Sequence, residues 1–129
     1  MSSKAVDFGL GPIGQISVNV HEIARAVAFY RDALGMKFLF QVPNMAFFSS
    51  GSIRLMLTVP EKPEFDHPSS IIYFKVDDIQ SAFEILTGRG VQFNGTAHRV
   101  AQMKDHDLWM AFFHDVDNNL LALMSEVPH

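Results

Sequence analysis

Polar side chains alternate with apolar ones in three segments of the sequence, and their spacing could place them in one small-molecule site. In the first segment, Gln15, Ser17 and Asn19 occupy every second position. Every second side chain of a β-strand points to the same face, so these three share a face opposite their apolar neighbours. The same alternation predicts two further sets on such a face: Arg54, Met56 and Thr58, and Ile71, Tyr73 and Lys75.

A face of this kind sets a few polar groups among methionine, isoleucine and tyrosine, which is typical of ligand pockets. Arg54 and Lys75 have an alternative to ligand binding: they could be solvated charges that protect sheet edges against aggregation. The candidate ligand-binding residues from these strands are Gln15, Arg54, Met56, Tyr73 and Lys75.

Aromatic residues form a second group of candidates. The chain contains 12 Phe, which is more aromatic surface than two short helices would cover. In one β-prone segment, alternation allows either Trp109 and Phe113 or Phe112 to face the pocket. We include Trp109 and Phe113 among the candidate ligand-binding residues, with ordinary core packing as the alternative for each. Phe47 and Phe48 present the same ambiguity of face.

Histidines supply the candidates for acid–base chemistry, because imidazole titrates near neutral pH. His98 and His106 are the candidate catalytic residues, and His98 is also a candidate ligand-binding residue. The alternative is that they are surface or loop histidines. No spacing pattern supports a metal site built from the four residues His67, His98, His106 and Asp107.

The elements that would position these residues occur twice in the chain. Alternating residues from Gln15 lead into a segment of helical periodicity that ends at Gly35, where a helix C-cap favours glycine. A second copy starts at Ile71 and ends at Gly90. A strand–helix unit that repeats after about 55 residues with only two copies indicates a pseudo-symmetric domain rather than a repeat array.

Each strand–helix unit is followed by three predicted strands. We therefore predict a lead-in at 1–12, a βαβββ module at 13–60, a Pro-rich linker at 61–70 and a second module at 71–126. In the second module we predict a short strand in VQFNG and a loop with some extended structure in AHRVAQMKDHD. The predicted fold class is α+β, with the two tandem modules forming a cupped mixed sheet around a small-molecule cavity.

Composition excludes several classes of protein. Hydrophobic residues make up 48% and charged residues 19% of the 129 residues, as in globular proteins. The formal net charge of −4 and the lack of a basic stripe argue against nucleic acid as a partner. The absence of cysteine excludes disulfides and thiolate chemistry. We find neither a membrane-spanning run nor a secretory signal, and we expect a cytoplasmic protein.

Two segments resemble the vicinal oxygen chelate superfamily, also called the glyoxalase/bleomycin resistance/extradiol dioxygenase proteins. They are ISVNVHEIARAVAFYRDALGM, which is similar to the family's first strand and helix, and FFHDVDNNLLALMSE, which is similar to its final hairpin. The resemblance implies two βαβββ modules around a small-molecule site, and commonly a homodimer. In the hairpin, Val116 and Asn118 replace the usual Pro and Gly, and we expect the turn to form because Asn tolerates the left-handed conformation.

In metal-dependent members of this family, one inward residue on the first and last strand of each module binds the metal. The corresponding residues here are Gln15, Met56, Ile71 and Ala122. Only Gln15 offers an oxygen, so these positions do not supply the several donors that such a site needs. We therefore predict no cofactor, with a divalent metal only as the alternative.

The resemblance then favours the metal-free members of the family, which bind and sequester small compounds, often aromatic ones. We expect a small-molecule-binding protein that sequesters an aromatic drug or metabolite. The alternative is a lyase, isomerase or dioxygenase-like enzyme that uses a relocated metal or a histidine as acid–base group. A third alternative is a partner-binding module whose aromatic residues fill the cavity.

Overall fold

The computed structural model describes residues 8–129, so part of the predicted lead-in at 1–12 lies outside the described residues. The described chain contains two βαβββ modules, which confirms the predicted fold class. The elements of the first module are β1 (Gln15–Asn19), α1 (Ile23–Ala28), β2 (Lys37–Val42), β3 (Met45–Ser50) and β4 (Ile53–Thr58). The elements of the second module are β5 (Ile72–Lys75), α2 (Ile79–Gly88), β6 (His98–Gln102), β7 (His106–His114) and β8 (Leu120–Pro128).

Each module forms one mixed sheet of four strands. The strand order is β1-β4-β3-β2 in the first sheet and β5-β8-β7-β6 in the second. In both sheets the first and last strands of the module run parallel, and the other neighbours are antiparallel. A parallel pair needs a crossover connection, which the module supplies with its helix and the intervening strands.

The helices begin and end differently in the two modules. The Asp78 carboxylate caps α2 by accepting a hydrogen bond from the Ser81 N–H at 3.1 Å, whereas the residue before α1, Glu22, makes no side-chain cap. A π-helical turn at Phe29–Ala33 extends α1. Both helices end near a glycine of positive φ, 72° at Gly35 and 91° at Gly90, as the repeat predicts.

Both helices pack on the same kind of sheet face, and their side chains merge into one core. Val18, Phe48 and Leu57 contribute to the core from the first sheet, and Phe113 and Leu121 contribute from the second. Burying each of these side chains stabilises the fold by about 1.5–3 kcal/mol relative to leaving it exposed. The opposite face of each sheet carries no helix, and we call it the open face of that sheet.

The two modules also meet through polar contacts on the helix side, of which the Tyr30 contact is buried. The Tyr30 hydroxyl of the π-helical turn donates to Asp115 Oδ2 in the β7–β8 hairpin at 2.7 Å. Arg89, at the end of α2, donates from Nη1 to the Ala33 carbonyl at 3.1 Å. Tyr30 is fully buried, so the hydroxyl needs this acceptor and holds the modules in one orientation.

One predicted strand is wrong. The segment VQFNG forms only an isolated bridge between Phe93 and Phe113. The edge strand of the second sheet is β6, which lies within the segment predicted as a loop with some extended structure. Four of the five β6 residues are exposed, so neither face of this strand is buried. An edge strand without a buried face lacks the alternation that identifies strands in sequence.

The turn predicted at Asn118 is confirmed, and a second asparagine, Asn44, adopts the same left-handed conformation. Asn44 has a φ of 62° between β2 and β3, and Asn118 has a φ of 65° in the β7–β8 hairpin. Asparagine tolerates this region better than most residues because its side chain bonds locally. Among the helices of residues 8–129, none has the length and apolar character required to cross a membrane.

Candidate functional site

The open face of the first sheet collects the polar residues that alternation predicts for it. The register pairs Gln15 with Arg54 and Ser17 with Met56 across β1 and β4. Their strand neighbours Val18 and Leu55 are buried on the helix side, at 1% and 3% exposure. Alternate residues of each strand therefore lie on opposite faces, one in the core and one accessible to a ligand.

The linker between the modules covers one end of this open face. Asn19 fastens it, because its Nδ2 donates to the carbonyls of Phe65 and His67 at 2.7 Å and 2.9 Å. The Asn19 backbone N–H also donates to Ser69 Oγ at 3.0 Å. These three hydrogen bonds hold the linker against β1 and turn a flat sheet surface into a groove.

The groove between the open face and the linker has a volume of about 490 Å³, within the roughly 300–1,000 Å³ of small-molecule sites. Its sheet side is lined by Ser17, Asn19, Met45, Met56 and Thr58. Its linker side is lined by Val59, Pro60, Glu61, Phe65, His67, Pro68, Ser69 and Ser70. Hydroxyl and amide groups thus stand among methionine and phenylalanine.

Beyond the groove, the open face continues to a guanidinium group. Arg54 donates from Nε to Gln15 Oε1 at 3.0 Å, and its guanidinium carbon lies 5.1 Å from the centre of the Phe47 ring. Gln15 Nε2 lies 3.7 Å from Met56 Sδ. Phe47 in turn stacks on Phe40, with ring centres 4.5 Å apart.

The residues at the family's usual metal positions do not fit a metal ion. The one oxygen donor, on Gln15, already accepts a hydrogen bond from the Arg54 cation, whose charge repels a divalent cation. Met56 offers only a thioether, and Ile71 and Ala122 offer no donor. Across residues 8–129, no cluster of three or more His, Asp or Glu side chains is arranged to hold a metal ion.

The open face of the second sheet presents a different set of groups. Tyr73 meets Phe112 edge to face with ring centres 6.0 Å apart. Lys75 lies 3.6 Å from the Glu126 carboxylate on β8. The candidates Tyr73 and Lys75 therefore lie on a sheet separate from Gln15, Arg54 and Met56, and the groove contains neither of them.

Two aromatic candidates, Trp109 and Phe113, lie on the wrong face. Phe113 is fully buried and packs against Phe93, with ring centres 5.3 Å apart. Trp109 has the same parity and packs against the core from the helix side. Phe112 is the aromatic residue of β7 that reaches the open face. The strand is apolar at successive positions, so its own sequence did not reveal which parity faces the helix.

The histidine candidates are not brought together. His98 pairs with Met110, four residues from His106 along β7, a distance of about 13 Å for an extended strand. His98 Nδ1 lies 3.0 Å from the Thr96 carbonyl oxygen. His106 Nδ1 lies 2.7 Å from Asp105 Oδ1, and this contact holds the pKa of Asp105 below its usual value.

The relocated metal site considered from sequence is not assembled either. Asp107 lies on the helix-side parity of β7, where its Oδ1 is 2.9 Å from His129 Nε2 and its Oδ2 is 3.6 Å from Arg99. The His129 contact, followed by the Arg99 charge, holds the pKa of Asp107 below its usual value. His67 lies in the linker with Nδ1 3.2 Å from the Pro68 carbonyl oxygen.

Sequence reasoning missed a cluster that ties the linker to the second module. His21 Nδ1 lies 3.0 Å from Asp117 Oδ1 in the β7–β8 hairpin, and Nε2 lies 3.3 Å from Asp66 Oδ1 in the linker. Asp66 first, and then Asp117, raise the pKa of His21 above its ordinary value. Asp117 Oδ2 is buried without a hydrogen-bond partner among residues 8–129. No local pattern joins residues so distant in the chain.

Comparison with known proteins identifies the class that this fold and open face define. Residues 12–123 match the sequence pattern of the Glyoxalase/Bleomycin resistance protein/Dioxygenase superfamily, and the chain belongs to this superfamily. The curated protein YraH from Bacillus subtilis (strain 168) is 25% identical over 123 residues, covering 84% of this chain and 94% of YraH.

Solved structures show the same fold. TnmS3, an antibiotic binding protein from Streptomyces sp. CB03234, matches with a TM-score of 0.74 at 21% identity, covering 92% of this chain and 98% of TnmS3. Lactoylglutathione lyase from Agrobacterium tumefaciens matches with a TM-score of 0.73 at 18% identity, covering 91% of this chain and 95% of the lyase. At these identities the likeness shows a shared fold, which serves both a binding protein and an enzyme.

Proposed function

We propose that this protein binds a small organic molecule on the open face of its first sheet, without a metal at the family's usual position. The observation that carries this proposal is the groove of about 490 Å³, whose lining mixes methionine and phenylalanine with a few hydroxyl and amide groups. Such a lining binds an apolar body by burial and orients it through a small number of hydrogen bonds.

The Arg54–Gln15 contact supports binding without a metal. The guanidinium holds the one oxygen that could have coordinated an ion, and it presents a positive charge at that place. A bound organic molecule instead meets a hydrogen-bonded amide, a thioether and an aromatic ring. The specific function that we propose is sequestration of an aromatic drug or metabolite. The structure of TnmS3, named as an antibiotic binding protein, is a precedent for such binding on this fold.

We propose in addition that two copies of the chain associate through their open faces. Phe40, Val42 and Tyr73 are large apolar residues that remain 45%, 39% and 43% exposed there. A second copy would remove these side chains from water and would enclose the groove more fully. Light scattering after size-exclusion chromatography tests this directly: a monomer at micromolar concentration contradicts the dimer and leaves the ligand proposal to its own test.

The ligand proposal is tested by a thermal-shift screen of aromatic drugs and metabolites, followed by calorimetry of the compounds that raise the melting temperature. The variant Ser17→Trp fills the groove from β1 and should abolish binding. Ser52→Trp, in the turn between β3 and β4, is the matched control and should bind as the wild type does. Compounds that bind the Ser17→Trp variant unchanged, or a screen without any binder, contradict the proposal.

Metal content provides an independent check. The purified protein should contain no stoichiometric transition metal, and titration with Ni²⁺, Zn²⁺, Mn²⁺ and Fe²⁺ should give no micromolar binding. Stoichiometric binding that is lost in Gln15→Ala would mean that Gln15 coordinates a metal in spite of Arg54. That result would contradict the metal-free proposal.

A further inference from the structure

The open face of the first sheet carries a row of four polar residues at the end opposite the linker. The register pairs Lys37 with Ser49, Ser49 with Arg54 and Arg54 with Gln15. Paired residues point to the same face of a sheet, so the row runs across all four strands in the order β2, β3, β4, β1. It contains two cations, one hydroxyl and one amide.

The positive charge of this row is not neutralised. Among the residues described, no carboxylate lies within ion-pair distance of Arg54 or Lys37, whereas Lys75 on the second open face pairs with Glu126 at 3.6 Å. Within residues 8–129, the guanidinium of Arg54 donates a hydrogen bond from Nε, to Gln15, and from neither terminal nitrogen. The two terminal nitrogens of the guanidinium remain as donors, and this fork binds planar anions such as carboxylates in a bidentate manner.

An aromatic surface lies beside the cations. Phe40 and Phe47 are stacked, with an angle of 27° between their rings. Phe47 is only 9% exposed because Phe40 covers it and Arg54 lies over it, while Phe40 itself remains 45% exposed. Met56 pairs with Phe47 in the register and also lines the groove. The apolar surface is therefore continuous from Phe40 into the groove.

We propose that the ligand of this open face is an aromatic anion, with a flat ring on Phe40 and Met56 and a carboxylate or phenolate held by Arg54. This inference rests on the proposed ligand-binding function and names the chemical class of the ligand. A carboxylate in the groove would fix which end of the ligand points toward Arg54. Glu61 lines the linker end of the groove, and its carboxylate repels the anionic group toward the Arg54 end.

The test uses two probes of matched shape, 2-naphthoate and 2-naphthamide, titrated into the full-length protein by calorimetry at pH 7.5. The wild type should bind the anion about fivefold more tightly than the neutral amide, as expected for a partly exposed ion pair. Arg54→Met should bind both probes alike, whereas Arg54→Lys should keep part of the preference. Arg25→Met removes an exposed arginine of α1 and should keep the full preference.

Salt provides a second readout that a packing defect would not reproduce. Raising NaCl from about 0.05 M to about 0.5 M should reduce the preference for 2-naphthoate in the wild type, because the Debye length shortens severalfold. The same change should leave the Arg54→Met variant unaffected. Circular dichroism shows whether each variant is folded, and Arg54→Lys keeps the test decisive if Arg54→Met is not.

The outcomes separate this inference from the proposed function. Equal binding of the two probes by the wild type, or a preference that survives in Arg54→Met, overturns the aromatic anion and leaves small-molecule binding in place. Absence of binding by both probes also overturns it. In that case the thermal-shift screen with Ser17→Trp decides separately whether the open face binds any small molecule.

Discussion

The two open faces of this protein share a fold and differ in how their charges are arranged. On the first sheet, Arg54 and Lys37 stand without a carboxylate partner among residues 8–129, beside the stacked rings of Phe40 and Phe47. On the second sheet, Lys75 is paired with Glu126. Asn19 fastens the linker over one end of the first face. Two copies of one module thus differ: within residues 8–129 the first face carries cations without a carboxylate partner beside a groove, and the second face carries a paired lysine.

This difference follows from substitutions at equivalent positions of the two modules. Asn19 of β1 corresponds to Lys75 of β5, because Val20 and Val76 follow them at the same point of the repeat. Asparagine at this position can donate two side-chain hydrogen bonds to the linker, whereas lysine reaches across the sheet to a carboxylate. Asn19 therefore holds the linker against the first sheet, whereas Lys75 forms an ion pair on the second.

The largest expected effect on stability comes from breaking the contact that orients the modules relative to each other. Asp115 is 7% exposed and accepts hydrogen bonds from the Tyr30 hydroxyl and the Asn119 side chain, and from the N–H groups of Asp117 and Asn119. Asp115→Ala leaves these donors without their acceptor and should lower the free energy of unfolding by about 3–5 kcal/mol. Urea denaturation of the variant and the wild type measures this difference in the free energy of unfolding.

The exposed carboxylate of Asp32 provides the matched control for Asp115. Asp32→Ala should leave the free energy of unfolding close to that of the wild type, because this carboxylate is exposed. Tyr30→Phe should fall between the two variants, at about 1.5 kcal/mol, since it removes one donor to a charged acceptor. Equal stability of Asp115→Ala and Asp32→Ala would show that the hairpin does not depend on this carboxylate.

The next effect distinguishes the two modules at their equivalent strand ends. Asn19→Ala removes two hydrogen bonds to the linker and should cost about 1–2 kcal/mol. It should also expose the linker to a protease that cleaves after glutamate, at Glu61 and Glu64. Lys75→Ala should leave the linker as protected as in the wild type. Equal cleavage of the two variants contradicts the assignment of Asn19 as the anchor, and mass spectrometry of the fragments identifies the site.

A smaller effect distinguishes the helices. Asp78→Ala removes the cap that accepts from Ser81 N–H and should lower the free energy of unfolding by about 1 kcal/mol. Glu22→Ala, at the matching position before α1, should have no such effect, because Glu22 caps nothing with its side chain. Thermal unfolding of both variants compares them. A loss from Glu22→Ala as large as that from Asp78→Ala contradicts this asymmetry.

The smallest effect is a pH dependence at His21. Asp66 and Asp117 raise the pKa of His21 in the folded protein, so the charged imidazole favours the folded state. This contribution is complete below the unfolded pKa of about 6.5 and is lost as the pH rises through the higher folded pKa. The melting temperature of the wild type should therefore exceed that of His21→Gln most at pH 6, and the difference should shrink toward pH 9. A difference that is constant over this range contradicts the ion-pair assignment.

Much of the fold could be predicted because the local pattern of the chain encodes it. The strand–helix repeat, the glycines that end both helices and the asparagine of the final hairpin follow from periodicity and from backbone preference. β6 was predicted only as a loop with some extended structure, because an exposed edge strand lacks alternation. The polar parity of β1 and β4 predicted the open face of the first sheet, since each of these strands buries its other side in the core.

The candidate site could be predicted only in part. Gln15, Arg54 and Met56 lie together on the first open face as alternation indicates. Tyr73 and Lys75 lie on another sheet, and Trp109 and Phe113 lie on the helix side. Within β7 both parities are apolar, so hydrophobicity could not choose between Phe112 and Phe113; the packing of α2 and Phe93 made the choice.

The sequence by itself determined the features that depend on neighbouring residues. These are the helices and strands, their turns, and the face on which the polar residues of β1 and β4 lie. Only the tertiary structure decided which distant groups meet. The linker becomes a wall of the groove through Asn19, the modules are joined through Tyr30 and Asp115, and His21 joins the linker to the hairpin. These contacts connect residues tens of positions apart, and they form only when burial in a common core brings the two modules together.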